Sequence, residues 1–211
     1  MPRYDVDEGL ARENLCRYLA ACYYQPGPEF AEEHVFDSML DAASRIDPDL
    51  ASAARRLGEA FAAEGADSLP LDYTRLFLGP THIIAQPYGS VWLEEQKILM
   101  GDSTMAVQEL YREGGFDIAE DFRELPDHVA AELEFLYLLI HRENDAHRNG
   151  NHEALGDIAS LRKRFLHAHL GRWVGPFTAA VKDGAQSGYY RGLAALTDRF
   201  VAMEAARGPH E

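Results

Sequence analysis

The sequence predicts an all-α fold, and three observations carry that prediction. Apolar residues recur at helical spacing over most of the chain, no alternating apolar and polar run reaches useful strand length, and Gly or Pro ends one helical stretch after another. With 211 residues and 46% apolar content the chain is long enough for one well-buried domain. It has neither a fixed-period repeat nor a low-complexity segment. The expectation is a single helical-bundle domain over residues 1–211, with an N-terminal lobe over about 1–120 and a C-terminal lobe over about 121–211.

A first helix over about Asp7–Tyr24 places Leu15, Leu19 and Cys22 on one stripe and stops before Pro26-Gly27-Pro28. A second is expected over about Pro28–Ser44. A third starts at Asp47-Pro48, where Asp can cap and proline suits a first turn, and continues through Ala-rich sequence to about Glu64. A short helix over Leu71–Leu78 ends at Gly79-Pro80. From Thr81 to about Gly101 no helical stripe is sustained, yet Ile83, Ile84, Tyr88, Val91 and Trp92 make the stretch too apolar for disorder. It reads as an ordered loop that shapes a surface.

Ser103–Glu113 is helical up to Gly114-Gly115, and Phe116–Leu125 forms a linker. Pro126-Asp127 starts the clearest helix, in which Val129, Leu133, Leu136 and Ile140 follow 4, 3, 4 spacing while Phe135 and Leu139 widen the apolar face. Helices over about Glu153–Leu170 and Arg172–Lys182 follow. The last carries Tyr189, Leu193, Leu196, Phe200 and Met203 at 4, 3, 4, 3 spacing, with a tail from Arg207 that frays.

Composition narrows the function. A formal net charge of −15 disfavours nucleic acid, since each phosphate contact needs Lys or Arg, and a basic partner suits this surface better. No apolar run approaches the roughly 18 to 20 residues that cross a bilayer, and the first eight residues lack the basic-then-apolar order of a signal peptide, so a cytoplasmic protein is expected. Cys16 and Cys22 on one helix would be about 9 Å apart in rise alone, too far for a disulfide. Phosphate-loop, dinucleotide, nucleophile-elbow and Cys-x-x-Cys patterns are all missing. These absences leave such chemistry poorly supported.

Three constellations stand out. On a helix Tyr73, Leu76 and Phe77 share one face, and Asp72 can pair with Arg75 at i, i+3; the stripe reads either as packed core or as part of a groove. Pro87-Tyr88-Gly89-Ser90 with Trp92 reads as a turn with two packed rings or as a presented aromatic contact. Pro126-Asp127-His128 with Glu132 allows Asp127 to cap the first turn and His128 to bond Glu132. It also allows ligand recognition; a metal needs more convergent ligands than this segment offers. His167 and His169, two apart near Trp173, point to different helix faces and read as helix-surface or helix-end histidines.

In this order and spacing, Asp72-Tyr73-Thr74-Arg75-Leu76-Phe77-Leu78-Gly79-Pro80, Pro87-Tyr88-Gly89-Ser90 with Trp92, and Pro126-Asp127-His128 with Glu132 resemble the TorD/DmsD family of molybdoenzyme maturation chaperones. The segments Phe165–Phe177 and Tyr189–Leu196 resemble that family's C-terminal helices, so the likeness spans nearly the whole chain. The resemblance implies a TorD-like bundle with no catalytic residues. It implies a chaperone that binds the twin-arginine leader and apo form of a molybdopterin-dependent oxidoreductase and delays export until the cofactor is inserted.

Asp127 is then the expected partner of a leader arginine, with Tyr73, Leu76, Phe77, Tyr88 and Trp92 lining an apolar groove. Cofactor-insertion machinery is a further partner on this reading. The family includes both monomers and exchanged-helix dimers, and weak guanine-nucleotide binding is associated with some members, at a site no local pattern places here. A nitrate-reductase-type assembly factor acting on the client body, and more distantly a helical metal-dependent enzyme, are the alternatives.

Overall fold

A computed structural model describes residues 4–25, 34–65, 68–79, 83–96, 99–118 and 123–208. Among them are ten α-helices and one π-helical turn. The long ones are α1 (Val6–Ala21), α2 (Val35–Ile46), α3 (Pro48–Glu64), α6 (Asp102–Glu113), α7 (Val129–Asn149), α8 (His152–Ala168), α9 (Leu170–Gly184) and α10 (Gly188–Ala206). Two are short: α4 (Leu69–Tyr73), which runs into the π-helical turn Thr74–Leu78, and α5 (Gly89–Leu93). The all-α expectation therefore holds.

Most boundaries follow the local signals. Asp47 accepts the Asp49 and Leu50 N–H groups at the start of α3, with Pro48 in its first turn. The first helix stops at Ala21, short of Tyr24, because Tyr23 and Tyr24 donate to Ala20 and Ala21 in tighter i→i+3 turns. The expected start of the second helix lies outside the described residues, as does Pro80. Beyond Tyr73 the helix widens, and Gly79, at φ 43°, donates to the Thr74 carbonyl five residues back.

The deepest packing crosses the chain's midpoint. α1 lies against both α2 and α7, and α10 lies between α3 and α9, so helices from either side of residue 120 share one core. Cys16 and Cys22 are free thiols within it.

Four buried charges fasten the two ends of the chain to this core. Arg12 on α1 donates to both carboxylate oxygens of Glu204 on α10, at 2.8 and 2.7 Å, and to Glu143 on α7 at 3.3 Å. Arg162 on α8 lies 3.6 Å from Glu143 and 3.5 Å from Glu204. Each charge meets two opposite ones, which is what makes such burial tolerable. Although burial opposes it, the Arg12 guanidinium, with Arg162 and Arg207, holds the Glu204 carboxyl below the usual range.

Candidate functional site

Two of the three sequence constellations meet. Tyr88 and His128 form an isolated antiparallel bridge, in which Gly89 N–H donates to the Asp127 carbonyl and Val129 N–H to the Pro87 carbonyl, both at 2.8 Å. The Asp127 carboxylate accepts the Ser90 N–H at 2.7 Å. The loop after Pro87 is thus clamped to the start of α7, and Trp92 closes it by donating to the Gln86 carbonyl and packing on Phe177.

The roles at this junction differ from the expected ones. The helix begins at Val129, and its cap is His128, whose Nδ1 accepts the Ala130 N–H, not Asp127. Asp127 is fully buried, and its Oδ1 has no hydrogen-bond partner, so it meets no ligand at an open surface. Pro126 lies in the half-buried turn ahead of it, its carbonyl accepting the Tyr111 hydroxyl. Burial pushes the His128 imidazole down to about 4, against the pull of Glu124 and Asp127, so at neutral pH the ring is uncharged.

Glu132 does not bond His128. It turns inward, where Trp173 Nε1–H donates to both its oxygens at 3.2 and 3.1 Å and His169 Nδ1 lies 2.9 Å from Oε1. His169 is therefore a core group, not a surface histidine, and its Nε2–H donates to the Ser103 carbonyl at 3.0 Å. Despite the opposing effect of burial, the Glu132 carboxylate raises the His169 pKa. Gly89 abuts this trio so closely that an added Cβ would come within 3.0 Å of Glu132 Oε1 and Trp173 Nε1. His167, by contrast, is exposed.

The Asp72 constellation serves the fold. Asp72 Oδ2 accepts the Gln186 and Ser187 N–H groups and the Ser187 hydroxyl, while Oδ1 takes Arg75 at 2.6 Å. Together with Glu64, which accepts the Gly188 and Tyr189 N–H groups, it caps α10 from a distant part of the chain. Burial works against it, but Ser187 and Arg75 hold the Asp72 carboxyl below its ordinary value. Tyr73, Leu76 and Phe77 do not line an open groove: all three are buried, with Phe77 among the rings of Tyr23, Tyr73, Phe177 and Tyr190.

What remains at the surface is a row that local spacing does not reveal. The His128 ring lies between Tyr24, stacked at 6.3 Å, and Tyr88, edge-on at 5.4 Å. The Tyr24 hydroxyl donates to Glu134 at 2.9 Å and the Tyr88 hydroxyl to Glu124 at 2.6 Å. Both tyrosines and both glutamates are half-buried. Larger clefts lie elsewhere: one of about 440 Å³ opens between α2 and α3 beside Phe36 and Phe61, and one of about 670 Å³ beside Glu94, Asp102, His169 and Arg172.

The family described as nitrate reductase delta subunit matches residues 43–179 of this chain. The Tat proofreading chaperone DmsD of Salmonella typhimurium is 31% identical over 87% of this chain and 83% of its own length. The chaperone protein TorD of Vibrio parahaemolyticus is 27% identical over 65% of this chain and 63% of its own length. A crystal structure from Archaeoglobus fulgidus, described as a redox enzyme maturation protein, superposes with a TM-score of 0.54 over 90% of this chain and 93% of its own, at 19% identity, and shows a shared fold.

Proposed function

The chain belongs to the nitrate reductase delta subunit family, and from that premise we propose that it is a cytoplasmic maturation chaperone that binds the twin-arginine leader of an apo molybdopterin-dependent oxidoreductase. It is not an enzyme: the relatives it matches are named chaperones. Among the described residues no helix is long and apolar enough to cross a membrane. The observation that best supports the reading is the bridge that joins the Pro87–Ser90 loop to the Asp127–His128 helix start, beside which Tyr24 and Tyr88 hold acids that pair with hydroxyls and not with cations.

The chaperone acts by binding alone. Leader arginines meet the acidic aromatic surface, and the apolar residues after them lie against Tyr88 and Trp92. On this reading Asp127 positions: it fixes the loop on α7 and adds negative potential from behind. A micromolar complex needs only about −8 kcal/mol, within reach of one desolvated arginine contact and a few apolar anchors. Nothing is hydrolysed, so release comes from cofactor-dependent folding of the client or from competition by the export machinery. The reading requires no resident cofactor.

Calorimetric titration with leaders from the source genome's molybdoenzymes, beside versions with both arginines changed to lysine, tests it. Selective binding of one leader is expected; failure of every leader to bind overturns leader recognition. A second reading is favoured by the family match itself: assembly of a client body that has no exported leader, which predicts binding to the mature client without its leader.

A further inference from the structure

Resting on that reading, we infer that Glu124 and Glu134, at the two ends of the Tyr24–His128–Tyr88 ring row, each take one guanidinium of the twin-arginine pair.

A census of carboxylates makes the two stand apart. Among the described residues every other half-buried or buried Asp or Glu has a cationic side chain or a backbone N–H as partner. Glu8 has Arg207, Glu13 has His141, Asp198 has Lys182, and Glu94 has the Ser103 N–H. Glu124 and Glu134 have a tyrosine hydroxyl and, among the described residues, no cation within 4.0 Å. A neutral hydroxyl orients a carboxylate without cancelling its charge, and burial accordingly raises the Glu134 pKa against the pull of the Tyr24 hydroxyl. Charge left uncompensated in a half-dry setting is stabilised by a cation that arrives.

The surroundings suit guanidinium in particular. Tyr24 and Tyr88 are half-buried rings of the type on which a planar cation stacks, and the carboxylate bonded to each hydroxyl suits the bidentate fork that lysine lacks. His128 between them is neutral and repels nothing. A second, independent observation lies directly behind: Asp127 is fully buried with Oδ1 lacking a donor, and its charge acts on both Tyr88 and His128. One carboxylate on each terminal tyrosine of the row gives one acceptor for each of two adjacent arginines, whose long side chains diverge in an extended peptide.

The test is a mutant cycle on the full chain, with the leader that binds wild type as probe. Glu124→Gln and Glu134→Gln, which keep an acceptor for each tyrosine, are titrated against that leader and against versions with the first or second arginine changed to Gln. Each variant should lose about tenfold or more in affinity, and each should become insensitive to replacement of one particular arginine. Tyr24→Phe leaves Glu134 in place but unoriented and should lose less, covering the case in which Glu134→Gln fails to fold. Wild-type affinity in both Gln variants overturns this assignment and leaves leader binding intact. A wild type that binds no leader overturns both.

Discussion

Arg12, Glu143, Arg162 and Glu204 on one side, and Glu124, Tyr24, His128, Tyr88 and Glu134 on the other, show the same chemistry used to opposite ends. In the first region each carboxylate is shared between at least two guanidiniums, which cancel its charge. In the second each carboxylate is held by a neutral hydroxyl, with no guanidinium to cancel it among the described residues. Internal cancellation makes a fastener; withheld cancellation leaves acid free for the leader arginines of the proposed complex. The amount of charge is similar, so the supply of partners, not acidity, separates structure from recognition.

The comparison breaks hardest at Arg12. Arg12→Ala takes from Glu204 its bidentate partner and leaves Glu143 with Arg162 alone, and should cost about 3 kcal/mol in urea unfolding, with leader affinity per folded molecule unchanged. Gly89→Ala strikes the junction behind the receptor. Its Cβ forces Glu132, His169 and Trp173 apart, for a loss of about 1 to 3 kcal/mol seen by Trp fluorescence during unfolding, together with weaker leader binding. Asp127→Ala leaves the Ser90 N–H without its acceptor and should cost about 1 to 2 kcal/mol. A substitution with no stability change would show that Asp127 does not hold the loop.

Acid sharpens the contrast with a smaller effect. The folded Glu204 pKa is depressed, so its contribution to stability is complete above the unfolded value of about 4.3 and is lost only as pH falls through the lower folded one. The Glu134 pKa is raised, so its carboxylate is protonated at a higher pH. Leader affinity should therefore fall on acidification before circular dichroism reports any loss of the native fold. Simultaneous loss of both would place receptor and fastener under one titration and contradict the distinction.

The sequence makes the helices legible because each is a local pattern: the 4, 3, 4 spacing of α7 and the Asp47-Pro48 start of α3 are read within one or two turns. The junction was half legible. Tyr88 and Asp127 stand out as motif residues, but that Asp127 faces Ser90 and Glu132 faces His169 is decided by residues 37 positions or more away. Tyr24, Glu124 and Glu134 escape notice because their pairings are tertiary. The buried charges did leave a signal: Arg12 precedes Leu15 and Cys16 by three and four, and Glu204 follows Phe200 by four, which sets each on an apolar stripe where a charge needs a hidden partner.

The Arg12–Glu204 pair spans 192 residues, and this gives the protein a timetable. At synthesis rates of about 5 to 20 residues per second, α1 spends roughly 10 to 40 s outside the ribosome before its guanidinium can find that acid. During that interval the apolar stripe beside Arg12 has neither its ionic lock nor all of its packing. A chain proposed to shelter unfinished enzymes is thus itself unfinished for most of its own translation.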